Sequence, residues 1–181
     1  MEKPDSMIMY QVDVFTHQGI LGNPAAVVPL EYWPEDAWMQ VLARDIKLSE
    51  TAFFVPTRQE GCFELRWFTP QVEVELCGHA TLATAFVLRH WLEFAHERAE
   101  FQIRNGRLMV DYQTDAWLEI DFGKATTFDR VAVKEHIALG QRVERHYIEA
   151  WTGEAWRTIT EGTTIGHLRN HPPPKRTASK L

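Results

Sequence analysis

The stretch Glu75-Leu76-Cys77-Gly78-His79-Ala80-Thr81-Leu82-Ala83-Thr84-Ala85-Phe86-Val87-Leu88 constrains this chain more than any other. From Ala80 to Leu88 its only polar residues are Thr81 and Thr84, both small. A helix that is apolar all round belongs inside a domain, not on its surface. The segment Val72–Leu76 reads as a strand leading into it, with a tight turn at Gly78. The rest of the chain must therefore wrap around a helix whose N-terminus carries His79. Such an N-terminus offers unpaired N–H groups and a partial positive charge, so it attracts carboxylates.

The flanking segments predict what does the wrapping. Ile8–Phe15 alternates, with Tyr10, Val12 and Val14 on one face, which is a strand pattern. Thr16–Pro24 carries two glycines and an Asn-Pro step and reads as a loop. Ala25–Leu30 is a short buried strand. Pro34 opens a helix through Ala43, with Trp38, Val41 and Leu42 as its expected inward stripe. Leu48–Val55 and Cys62–Thr69 read as strands. Ala99–Arg104 and Arg107–Gln113 form a hairpin turned at Asn105-Gly106. Trp117–Phe122 adds another strand. The pattern is α+β: a curled, mostly antiparallel sheet around a central buried helix.

Bulk properties narrow the function. Apolar residues make up 45% of 181, enough for a sizeable core, and the net charge of −6 disfavours a nucleic-acid partner. Cys62 and Cys77 are the only cysteines, too few for a disulfide scaffold or a zinc site, which fits a cytoplasmic protein. The first residues lack the apolar core of a signal peptide. No apolar run approaches the roughly 18 residues of a membrane span.

Three residues are candidates for chemistry. His79 sits where a helix N-terminus disfavours the imidazolium, so a neutral ring is available near pH 7. Gly78 beside it lets a ligand approach the backbone. Glu50 precedes an apolar strand, and desolvation there raises a carboxylate pKa toward the range of a general base. Cys77 is a candidate thiol, either a small buried hydrophobe or an acidified nucleophile. The Asn23-Pro24 turn is a candidate ligand-lining element, and Ser49 beside Glu50 is a further candidate for substrate binding. No Gly-rich phosphate loop or metal-ligand spacing is present, so neither a cofactor nor a metal is expected.

Taken together, Val12-Asp13-Val14-Phe15, Gly22-Asn23-Pro24-Ala25-Ala26-Val27-Val28, Leu48-Ser49-Glu50-Thr51-Ala52-Phe53, Arg66-Trp67-Phe68-Thr69-Pro70 and Cys77-Gly78-His79-Ala80-Thr81 strongly resemble the phenazine-biosynthesis PhzF-like isomerases. The resemblance implies a diaminopimelate-epimerase-like fold of two similar lobes, each a curled sheet around a helix, with the active site between them. It implies that Glu50 is the general acid/base acting on a dihydro-hydroxyanthranilate-type carboxylate. His79 and Gly78 would line the pocket and hold the carboxylate, and Asn23 would be a pocket residue. It further implies no cofactor and a homodimer. Cys77 falls where related epimerases carry a catalytic thiol.

The resemblance covers residues 7–122, the expected N-terminal lobe. Residues 123–181 lack the Glu-Asp-Pro-x-Thr-Gly-Ser-Ala-like motif of a second lobe. They read as an atypical segment, a truncated or frame-shifted second lobe, ending in a disordered Pro/basic tail from His171. Three functional readings follow. One is a proton-transferring isomerase, impaired by an incomplete second lobe. Another is a non-catalytic half-protein that exposes an apolar face for a partner. The last is a thiol-dependent epimerase or racemase using Cys77.

Overall fold

The computed structural model describes residues 7–15, 22–112, 117–128, 131–133, 146–162, 169–171 and 176–181. They divide into two units: the described residues of 1–14 and 23–118, and those of 15–22 and 119–181. Of the predicted loop Thr16–Pro24, residues 16–21 lie outside the described residues, and Asn23-Pro24 opens a strand instead of a turn, paired with the strand Tyr10–Val14.

The first unit runs β1 (Tyr10–Val14), β2 (Asn23–Pro29), α1 (Asp36–Ile46), β3 (Glu50–Pro56), β4 (Cys62–Phe68), β5 (Glu73–Val74), α2 (Gly78–Trp91), β6 (Arg98–Ile103) and β7 (Gly106–Asp111). Its strands lie in the order β1-β2-β3-β4-β6-β7, with β5 on β4. The pairs β2–β3 and β4–β6 are parallel. The pairs β1–β2, β3–β4 and β6–β7 are antiparallel. This is the α+β arrangement that the alternating segments predict.

The pleat of the strands sends alternate side chains to opposite faces. On one face Val28, Phe53, Val55 and Phe68 are buried with Met39 and Ala43 of α1, and Trp33, Trp38 and Leu42 pack at the margin. Met39 and Ala43 are one helical turn apart, so they share a face. The sequence placed Val41 in that stripe, but Val41 is 50% exposed. It lies two positions from both Met39 and Ala43, which turns it to the far side of the helix.

The helix α2 packs against β1, β2 and β3. Ala80, Thr81, Ala83, Thr84, Ala85, Val87 and Leu88 are all buried, as an apolar helix requires. The small residues let the strand backbones approach closely. Both threonines return their hydroxyls to the preceding turn, Thr81 Oγ1 to the Cys77 carbonyl at 2.7 Å and Thr84 Oγ1 to the Ala80 carbonyl at 2.8 Å. A buried hydroxyl left unpaired costs roughly 1–3 kcal/mol, so these bonds make the polar residues tolerable inside.

Two local expectations shift. The strand before α2 is short, only Glu73–Val74. The β6–β7 hairpin forms, but Ile103 pairs with Gly106, so the two loop residues are Arg104 and Asn105. Gly106, with φ 151°, holds the backbone value that an L side chain avoids.

Arg66 on β4 ties this strand to β5 and to the start of α1. Its Nε and Nη2 donate to the Glu73 carboxylate at 2.8 and 2.9 Å, and Nη1 donates to Asp36 at 2.8 Å. Its guanidinium lies 5.3 Å from the centroids of both Trp33 and Phe68. Glu73 is thus half of a bidentate pair. The guanidinium holds the Glu73 and Asp36 carboxyls below their usual range.

The second unit contains β8 (Trp117–Phe128), β9 (Val131–Val133), β10 (His146–Trp151), β11 (Trp156–Gly162), β12 (Arg169–His171) and β13 (Arg176–Lys180). β10 and β11 form a hairpin closed by the Trp151–Trp156 pair, whose rings meet edge-on at 5.8 Å. β13 pairs antiparallel with β8. It occupies part of the stretch whose composition predicts a disordered tail, and Leu181 continues the ladder by exchanging two backbone bonds with Ile120. Backbone pairing of this kind does not depend on side-chain polarity. Residues 172–175, which include the proline run, lie outside the described residues.

Met39→Ala is expected to cost about 2–5 kcal/mol in chemical denaturation, and Val41→Ala no more than about 0.5 kcal/mol. Because the Glu73 and Asp36 carboxyls are lowered in the folded state, their contribution is present above the ordinary carboxylate range and lost as pH falls through the folded values. Arg66→Ala should therefore flatten the loss of stability below about pH 4, measured by denaturation across that range.

Candidate active site

The site grows from the parallel pairing of β2 and β3. Ala25 lies beside Glu50 in that ladder. Glu50 shares its pleat face with Ala52, and Asn23 shares its face with Ala25. Both strands start here, so Asn23 and Glu50 open adjacent strands. Ser49 ties the two starts together: its hydroxyl donates to the Pro24 carbonyl at 3.2 Å.

The N-terminus of α2 meets the same corner. Cys77 is its N-cap, in extended conformation with φ −143°, and Gly78 is the first helical residue. The Cys77 carbonyl accepts both the Thr81 N–H at 3.1 Å and the Thr81 hydroxyl at 2.7 Å. This double bond to one carbonyl fixes how the chain enters the helix. The first backbone N–H groups of a helix have no intrahelical acceptor, which leaves this turn rich in donors.

Three side chains converge. His79 Nε2 lies 3.4 Å from Glu50 Oε2, an ion-pair separation slightly long for a hydrogen bond. His79 Nδ1 lies 3.3 Å from Cys77 Sγ. The side chains of His79 and Glu50 keep 12% and 23% of their exposure, so the pair is sheltered but reachable. Cys77 is buried. Burial, and then the neighbouring Glu50 charge, push its thiol up to about 12, while the backbone N–H groups of Ala80 and His79 pull weakly the other way.

Asn23 adds a different signal. It is 5% exposed, and its buried Oδ1 has no hydrogen-bond partner among the described residues. An unpaired buried amide oxygen is costly, and polar groups left this way are found where a ligand completes them.

The structure thus brings Glu50, Cys77 and His79 into contact and sets Asn23, Ser49 and Gly78 on the elements that hold them. Ser49 spends its hydroxyl on Pro24, so its visible role is to align the strand starts. Thr81, noted in the sequence only as a polar interruption, supports the turn that carries His79. Its small polar side chain one turn into an apolar helix was the available signal. Nothing in the spacing placed Glu50, 29 positions before His79, beside it.

One donor atom from each of Glu50, Cys77 and His79 lies within 4.8 Å of the others, a separation compatible with a metal ion. The sequence showed no such spacing, because the fold assembles it. The ring geometry points elsewhere. Cys77 faces Nδ1 and Glu50 faces Nε2, so the imidazole lies between its neighbours instead of aiming one nitrogen at a point they share. A separate groove of about 310 Å³ runs along Trp33, Glu64, Arg66, Gln102 and Arg104. Its charges are matched within it: Trp33 Nε1 donates to Glu64, and Arg104 and Arg66 share Glu73.

Comparison with known proteins agrees with this architecture. The chain is 50% identical over 116 residues to an uncharacterized isomerase of Pseudomonas aeruginosa, covering 64% of this chain and 44% of that one. It is 45% identical over 106 residues to the human phenazine biosynthesis-like domain-containing protein, covering 55% of this chain and 37% of the other. Among solved structures, a PhzF-family phenazine biosynthesis protein of Enterococcus faecalis matches with TM-score 0.56 and 46% identity, over 62% of this chain and 42% of that one. A predicted epimerase of Pseudomonas aeruginosa matches with TM-score 0.55 and 26% identity, over 67% and 45%. The chain spans about two-fifths of the length of these curated relatives. The PhzC-PhzF model, described as phenazine biosynthesis-like protein, matches residues 12–142, and the chain belongs to that family.

Proposed function

We propose that residues 7–122 are the proton-transferring lobe of a cofactor-independent isomerase acting on a small carboxylate of the dihydro-hydroxyanthranilate type. The observation that carries this reading is the approach of Glu50 to His79 at the donor-rich start of α2. In the proposed reaction the first turn of α2, at Gly78-His79, holds the substrate carboxylate. Asn23 supplies its unsatisfied amide oxygen to a substrate donor. The Glu50 carboxylate takes a proton from a carbon of the conjugated ring, and the C–H electron pair moves into the π-system. The resulting carboxylic acid returns the proton to a different carbon. General acid–base help of this kind contributes typically 10²–10⁴-fold, about 3–5 kcal/mol of barrier.

The same reading makes the protein a homodimer, and two unpaired thiols suit the reducing cytoplasm. In it, a dimer partner helps to close the cleft over Glu50. A dry cleft matters, because a solvated carboxylate keeps ordinary basicity and loses much of the advantage.

Exposed apolar side chains favour a second reading, a non-catalytic half-protein that pairs with another chain. On α2, Phe86 and Trp91 are 42% and 45% exposed, and Tyr10 stacks on Trp91 at 5.1 Å. The thiol-dependent reading has less support. A thiol that deprotonates only near pH 12 is a poor base or nucleophile at neutral pH. Cys62, the only other cysteine, lies on β4 and is buried, and its thiol is likewise pushed up, chiefly by burial.

Incubation of the full chain with dihydro-hydroxyanthranilate in deuterium oxide should show deuterium entering the ring, followed by proton NMR. Glu50→Gln should slow it by about 10²–10⁴-fold. Unchanged exchange in that variant would overturn the mechanism, and a folded wild-type chain with no exchange would favour the half-protein. Cys77 should resist iodoacetamide at neutral pH in the folded protein while reacting readily once unfolded, read by mass spectrometry. Its raised pKa also contributes stability below about pH 9 that is lost as pH climbs toward 12.

A further inference from the structure

The Cys77 thiol is buried, touches the imidazole and has no part in the proposed proton transfer. Its position relative to the ring gives it one. His79 has two distinct nitrogens, and which one carries the hydrogen is set by what the other one meets. Here the partners differ in kind. Cys77 Sγ lies 3.3 Å from Nδ1, within range of a sulfur hydrogen bond. Glu50 Oε2 lies 3.4 Å from Nε2. An ionised carboxylate accepts hydrogen bonds and donates none, whereas a thiol has one hydrogen to give. A neutral ring with its hydrogen on Nδ1 would turn the lone pair of Nε2 toward the carboxylate, setting acceptor against acceptor. The opposite tautomer gives the thiol an acceptor at Nδ1 and turns the N–H side of Nε2 toward the carboxylate, a contact that at 3.4 Å is electrostatic and not a hydrogen bond.

We propose that Cys77 is a positioning residue: its S–H points at His79 Nδ1 and fixes the ring as the Nε2–H tautomer, so that the hydrogen on Nε2 faces the Glu50 carboxylate. Cys77 S–H donates to Nδ1, and the Nε2–H side faces Oε2 across an ion-pair distance. No bond to sulfur forms or breaks. The burial that makes Cys77 unreactive also keeps its hydrogen in place, since thiolate formation is disfavoured there. Aimed this way, the ring presents its N–H side to the carboxylate that takes the proton in the proposed reaction. The role in turnover rests on the proton-transfer reading above; the tautomer does not.

The two are therefore tested separately. Nitrogen NMR of the labelled full chain near neutral pH reports which ring nitrogen of His79 is protonated, with no substrate needed. The wild-type chain is expected to show His79 neutral with the hydrogen on Nε2. Cys77→Ser, which keeps a hydroxyl donor, should retain that form. Cys77→Ala, which removes the donor, should move the ring toward a mixture of tautomers. A wild-type ring protonated on Nδ1 overturns the proposal even if neither variant folds. So does a Cys77→Ala ring that stays wholly in the Nε2–H form. Where the isomerase activity is present, Cys77→Ala should lower kcat with KM nearly unchanged, and Cys77→Ser should restore much of it. An inactive wild-type chain with the expected tautomer would count against the isomerase and leave the hydrogen-bond assignment standing.

Discussion

The burial of α2 is the constraint on which the rest of the first unit depends. Its helical turns from Ala80 to Leu88 offer the strands alanines, threonines and aliphatic side chains, and seven of these residues are buried. Small side chains permit close packing of the strand backbones, and close packing leaves no room for unpaired polar groups. Each threonine therefore bonds a carbonyl one turn back. Once the helix is seated, the position of its first turn is set, and so is the position of His79.

That first turn meets the sheet where two parallel strands begin. Most neighbouring strands of this unit are antiparallel, but β2 and β3 run the same way. Parallel pairing puts both of their starts at one end, so Asn23 and Glu50 are delivered together. Neither residue is unusual in itself. A carboxylate and an asparagine, each opening a strand, are brought together by their shared end of the ladder and by the helix N-terminus beside it. The Arg66 cluster on β4 does the opposite job: a guanidinium with two carboxylates and two flanking rings leaves little unmatched and reads as structure.

Cys77 illustrates how one residue type changes meaning with depth. A cysteine beside a helix N-terminus is acidified when water reaches it and nothing negative stands near. Here it is buried next to Glu50, and both effects favour the neutral thiol. The positive end of the helix acts in the other direction and loses. What survives is a hydrogen-bond donor held against an imidazole.

Much of this was legible in the amino-acid order because it depends on local periodicity. The alternation in Cys62–Thr69 and the apolar run after Gly78 specify strands and a buried helix wherever they occur, and the five motifs specify the family. The expectations that failed were those where neighbours decide. Val41 was assigned inward because its residue type is apolar, yet helical phase turned it out. The β6–β7 turn lies one residue earlier than predicted, on Arg104-Asn105, with Gly106 opening β7 at φ 151°. Arg176–Lys180 forms a strand, since backbone pairing needs a partner ladder more than a particular composition. The sequence by itself determined the helix, its burial and the residues able to transfer a proton. Only the tertiary structure decided that Glu50, Cys77 and His79 meet, because contact across 27 and more positions is set by strand direction and helix placement, which no local pattern encodes.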